Sequence, residues 1–137
     1  MKKILILTLI VGLFSTLNTA AQQDKSKRPS PPAKVSETIA SGATISIDYS
    51  QPSVKGRTIG KEIAPYGEVW RTGANEATVF ETNKAVQIEG KTLPAGKYSL
   101  YSIPGEDKWT IIFNKTWKQW GTDYKEGDDA LRVDVKS

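Results

Sequence analysis

Between Pro65 and Thr78 two aromatics, a guanidinium, an amide and a carboxylate, namely Tyr66, Trp70, Arg71, Asn75 and Glu76, crowd around Thr72-Gly73-Ala74. Arginine presents a planar fork of donors that matches a carboxylate or a phosphate, while asparagine and glutamate orient hydroxyls, so this grouping can recognise a polar ligand. Just upstream, Lys55 and Arg57 lie in a connection, residues 51–67, punctuated by Pro52, Gly56, Gly60, Pro65 and Gly67. Connections of that length inside compact domains are uncommon and often functional. Lys55, Arg57, Tyr66, Trp70, Arg71, Asn75 and Glu76 therefore form the candidate binding set. The structural alternative is a hairpin of residues 69–71 with 77–79, whose tip holds an exposed Arg71–Glu76 ion pair worth at most about 1 kcal/mol.

Other chemistries are narrower. Histidine and cysteine are both absent, which removes thiol nucleophiles, imidazole bases, serine–histidine–acid triads and the usual zinc ligands. Two carboxylates acting on a cell-envelope polysaccharide are the hydrolytic route that survives, with Glu68, Glu76 and Glu81 as candidates. Asp123, Glu126, Asp128 and Asp129 are oxygen donors of the kind calcium takes, but the alternating acids and distal glutamate of a calcium loop are missing. A solvated turn is expected there, and neither a metal nor a cofactor. Trp117 and Trp120 are either plugs folded over a core or a stacking platform for a sugar or peptide. Gly90-Lys91-Thr92 has the look of a phosphate loop's tail, but Ala85 stands where its first glycine is required and both flanks are strand-like, which excludes it.

The elements that must position these groups begin after a leader. Lys2 and Lys3, the apolar run Ile4 to Leu17 and the small residues of Asn18-Thr19-Ala20-Ala21 have the three-part layout of a secretory signal. Residues 1–21 are expected to be removed, and the remainder to work in the periplasm or outside the cell. The apolar run is short for a bilayer and no second one follows, so no membrane span is expected in the mature chain. Loss of Lys2 and Lys3 lowers the net charge from +4 to about +2, and the remaining basic residues are scattered, which excludes nucleic acid as a partner. With no cysteine, stability must come from packed apolar surface alone.

Residues 22–34 are polar and proline-rich, a composition that reads as a disordered linker. Beyond it the period becomes two. Val35, Glu37 and Ile39, then Ile45, Ile47 and Tyr49, alternate with their neighbours around Ser41-Gly42, and further extended runs are expected at 68–71, 77–82, 85–89, 97–103, 108–114 and 130–136. No helical period appears. Residues 35–137 thus predict a single all-β domain, an antiparallel β-sandwich or barrel-like fold.

Four stretches carry a resemblance: Tyr49-Ser50-Gln51-Pro52-Ser53-Val54-Lys55-Gly56-Arg57, the Pro65 to Thr78 stretch, Leu93-Pro94-Ala95-Gly96-Lys97-Tyr98-Ser99-Leu100, and Trp109-Thr110-Ile111-Ile112-Phe113-Asn114. Together they resemble the exported bacterial family known as domain of unknown function 2911, over about Lys34 to Val135. The resemblance implies an exported β-rich domain and no assigned activity. It also implies arginine in relatives where this chain has Gln51, and further strands beyond the equivalent of Val135, so this domain is expected to be C-terminally shorter than its relatives. The leading expectation for function is non-catalytic binding of a small ligand, a glycan or an envelope protein through the loop set named above. The alternatives are the polysaccharide hydrolase and a module that completes its sheet with a strand of another chain.

Overall fold

The computed structural model describes residues 24–137, and period-two alternation builds eight strands in it. They are β1 (Pro32–Thr38), β2 (Thr44–Ser50), β3 (Thr78–Thr82), β4 (Val86–Ile88), β5 (Lys91–Leu93), β6 (Gly96–Ile103), β7 (Lys108–Asn114) and β8 (Asp129–Lys136). One sheet runs β1-β2-β3-β6-β7-β8 with every neighbouring pair antiparallel, and β4-β5 is a separate hairpin. The chain is all-β, as its alternation predicts. Its second layer is the small hairpin rather than a matching sheet.

Each face of the large sheet has its own cluster. On one, Phe80, Tyr98, Phe113 and Val133 pack with Ala43 and with Val86 and Leu93 of the hairpin. Phe80 and Phe113 meet edge to face at 5.0 Å, the geometry that aromatic quadrupoles favour. The opposite face buries Ala77, Tyr101 and Ile112, with Ile103 and Tyr124 against them. Opposed residues of an antiparallel pair share a face, so the register Leu100↔Phe113 and Tyr101↔Ile112 sends successive residues to the two clusters.

The hairpin explains the Gly90-Lys91-Thr92 stretch. Glu89 and Gly90 both have positive φ, 47° and 74°, as the tight two-residue turn between β4 and β5 needs. Lys91 and Thr92 are therefore strand residues of β5, an element the alternation alone did not single out.

Two expectations are corrected. Residues 68–71 form no strand; Trp70 alone bridges Ser102, extending the row of β3 beside β6. Residues 22–34, read as a disordered linker, carry from Asp24 onward a 3-10 turn, Lys25–Lys27, and then the start of β1. A polar, proline-rich segment cannot build its own core, but it can order on a neighbour that offers charge partners. The leader lies outside the described residues. Among the described residues no helix is long and apolar enough to cross a membrane.

Candidate functional site

Residues 51–77, between β2 and β3, and the segment after β7 come together over the Tyr101 face of the sheet. They enclose a cleft of about 530 Å³ whose walls include Arg57, Glu62, Trp70, Arg71, Tyr101 and Tyr124. That volume lies within the range of small-molecule sites. Three members of the predicted set, Arg57, Trp70 and Arg71, line it, while Lys55, Tyr66, Asn75 and Glu76 are not among its walls.

Lys55 sits exposed in the loop at φ 47°. Tyr66 turns its ring onto Gly60, where an added Cβ would come within 2.7 Å of the ring, so it braces the loop rather than facing the cleft. Asn75 donates from Nδ2 to the Ser30 carbonyl at 3.2 Å. Glu76 is bound by the N-terminal segment: Lys25 Nζ lies 3.0 Å and Arg28 Nη1 2.9 Å from its carboxylate. Burial pushes this carboxyl up, but its own backbone N–H and the Lys25 and Arg28 bonds outweigh that and hold it at about 2.

The hairpin expected to oppose Arg71 and Glu76 does not form. Ala77 donates its N–H to the Gln119 carbonyl at 3.0 Å, Gly121 donates to the Asn75 carbonyl at 2.9 Å, and Glu76 bridges Trp120. The Ala77 N–H and the Asn75 carbonyl are thus satisfied by residues 119–121, far along the chain, and the two charges have different partners. Gly121 permits this approach, since a Cβ there would lie 2.5 Å from Arg71 Cδ and 2.7 Å from the Asn75 carbonyl oxygen.

Arg71 and Arg57 are held mainly by backbone. Arg71 Nη1 donates to the Asn75 carbonyl at 3.3 Å; Arg57 donates from Nε to Val54 at 3.2 Å and from Nη2 to Ser53 at 2.8 Å. Among the described residues neither guanidinium forms an ion pair. Glu62, the carboxylate on the cleft wall, accepts from the Thr58 N–H at 2.7 Å. Among the described residues the cleft's charged walls are thus two unpaired guanidinia and one carboxylate, an excess of positive charge.

Two residues beside Arg71 have left-handed backbone. Thr72 and Asn75 have φ 51° and 57°, a region that is costly for a β-branched residue. Thr72 is pinned there on three sides: its hydroxyl meets Ser102 Oγ at 2.9 Å and the Trp70 carbonyl at 3.2 Å, and its own carbonyl accepts from Thr78 Oγ1 at 2.9 Å.

The far wall was not singled out from sequence. Tyr101 and Tyr124 lie with ring centroids 4.8 Å apart, and Gln119 Nε2 donates to the Tyr101 hydroxyl at 3.1 Å. Tyr124 donates its hydroxyl to Asp129 at 2.7 Å and accepts from Arg132 at 2.7 Å. Burial, then the Asp129 bond, push its hydroxyl up to about 12. Asn114 Nδ2 and Arg132 Nε also donate to Asp129, at 2.9 and 2.8 Å. Asp128 accepts from Thr116 and Glu126 pairs with Arg132, so three of the acids between 123 and 129 are engaged by neighbouring side chains. Asp123 itself sits exposed, its backbone N–H bonded to the Trp120 carbonyl. Lys97 Nζ caps the exposed Trp117 ring at 4.7 Å, and neither Trp117 nor Trp120 lines the cleft. Of the carboxylates considered for hydrolysis, Glu68, Glu76 and Glu81, none is a cleft wall.

Residues 30–137 match the family model described as "Protein of unknown function (DUF2911)", and the chain belongs to that family. The matched span contains all four stretches that carry the resemblance and every cleft wall, and it begins after Lys25 and Arg28. Neither a curated protein nor a solved structure matches the chain.

Proposed function

We propose that this member of a family without an assigned activity is an exported, non-catalytic binding domain that takes a small ligand bearing an anionic group. The cleft over the Tyr101 face receives it, and the periplasm or the medium outside the cell is where it acts. The observation that carries the reading is the pair Arg57 and Arg71 on the wall of a cleft of about 530 Å³ with no carboxylate paired to either among the described residues. A guanidinium already anchored through part of its fork keeps the remaining donors oriented, which lowers the ordering cost of binding. Export is supported by the signal-like layout of residues 1–21.

The reading is tested by thermal shift and calorimetry of the mature chain against carboxylates, phosphates, acidic and neutral glycans and short peptides. Anionic members are expected to raise the melting temperature, and Arg71→Gln to abolish the shift. A response to neutral compounds alone, or to none, overturns it.

A further inference from the structure

A second cavity abuts the cleft. It measures about 210 Å³ and is lined by Pro52, Ser53, Val54, Ile59, Ile63, Ala64, Trp70 and Trp109, and it shares Pro52, Ser53, Ile63, Ala64 and Trp70 with the cleft. Apart from Ser53 its walls are apolar. Trp70 and Trp109, both walls of it, meet edge to face at 6.4 Å. Around it, Val54 and Ile59 are exposed, as are Tyr66 and Val69 on the same connection. Half-exposed large apolar side chains gathered on one loop are a costly surface for water to cover, and such patches mark binding sites.

Charge beside grease selects the occupant. Resting on the binding role proposed above, we infer that the ligand is an amphiphile: an anionic head, carboxylate or phosphate, sits at Arg57 and Arg71, and a short hydrocarbon tail passes Trp70 into the Trp70–Trp109 cavity. The shared walls place the two environments side by side. Each alone fits many ligands, and together they fit a molecule with one charged and one apolar end. Glu62, the acid on the cleft wall, accepts from the Thr58 N–H and pairs with neither arginine, so the two guanidinia outnumber the one carboxylate among the charged walls of the head site.

The experiment titrates the mature chain with acetate, inorganic phosphate, hexanoate, octanoate, octyl phosphate and 1-octanol, reading calorimetric heat and tryptophan fluorescence. Octanoate and octyl phosphate are expected to bind and to perturb the fluorescence, each added CH₂ tightening the complex about fourfold until the cavity is full. Comparison of octanoate with octyl phosphate separates the two head groups. Arg71→Gln is expected to weaken octanoate at least tenfold and leave 1-octanol unchanged, and Trp109→Phe, which keeps an aromatic ring but removes part of the cavity wall, to reduce the chain-length dependence. Acetate or phosphate binding as tightly as octanoate sinks the tail and leaves the anion reading standing. Octanol binding as tightly as octanoate sinks the anion reading too. Binding to anionic vesicles without any response to soluble amphiphiles overturns the inference in favour of contact with a lipid surface.

Discussion

Arg28 donates from Nη1 to both carboxylate oxygens of Glu76, at 3.0 and 2.9 Å, and so ties a segment before β1 to a residue just ahead of β3. Lys25 adds a second cation 3.0 Å away. Next to this clasp, Ser30 accepts from Asn75 and itself forms part of the cleft wall. The N-terminal segment is thus part of the site's frame.

The clasp makes stability fall with acid in a defined window. Glu76 is held at about 2 against an ordinary 4.5; because the folded value is the lower one, the contribution is complete above pH 4.5 and is lost as pH falls through about 2. The carboxylate is more than a third exposed, so solvent screening limits it to about 0.5–1 kcal/mol. Denaturant unfolding of the native chain and of Glu76→Gln is expected to differ by that amount at pH 6 and to converge by pH 2. Curves that stay parallel down to pH 2 refute the clasp.

Gly121 is expected to tolerate no side chain. A Cβ there meets Arg71 Cδ at 2.5 Å and the Asn75 carbonyl oxygen at 2.7 Å, and a backbone atom cannot swing aside. Gly121→Ala should cost about 1–3 kcal/mol, the usual range for overpacking, and should displace Arg71 from the cleft. Gly127, where an added Cβ would meet nothing within 4 Å, provides the control: Gly127→Ala should change the melting temperature little.

How far the sequence discloses this molecule depends on how local the determinants are. Alternation in Lys97 to Ile103 and in Lys108 to Asn114 is a property of each strand alone, and both became β6 and β7 as expected. Ser41-Gly42 likewise announces the β1–β2 turn, where Gly42 takes φ 79°. Arg71 and Glu76 do not pair because their partners come from elsewhere: Gln119 and Gly121 bond the Ala77 N–H and the Asn75 carbonyl, and Lys25 with Arg28 captures the carboxylate. No spacing rule carries that. Tyr101 looked like one more strand residue; only the loops folding over its face make it a wall of the cleft.

Tyr124 contributes stability that is lost in alkali. Its hydroxyl is pushed up to about 12 from 10.0, so the folded state holds that proton more tightly, and the resulting stability is present below pH 10 and lost as pH rises through about 12. Tyr124→Phe removes the hydroxyl from Asp129 and Arg132 and should cost about 1–2 kcal/mol at pH 8. The gap between native and variant melting curves is expected to narrow from pH 10 to 12. A gap independent of pH over that range would show that the hydroxyl is not coupled to folding.

The apolar core has no covalent reserve behind it. Phe113, almost fully buried, takes Phe80 edge-on at 5.0 Å and Tyr98 at 6.4 Å, joining β3, β6 and β7 at the point where the β4–β5 hairpin covers the sheet. Phe113→Ala removes both contacts and leaves a cavity, at about 3–5 kcal/mol. A domain of this size holds only about 5–15 kcal/mol in total, and with no cysteine no disulfide can limit the unfolded ensemble. The variant is therefore expected to melt at least about 10 °C lower, or to be unfolded at 37 °C, while Phe113→Leu loses about 1.5 kcal/mol or less. Circular dichroism melting curves of the two variants decide it: equal, small losses would mean that the hairpin and not the Phe80–Phe113–Tyr98 cluster holds the layers together.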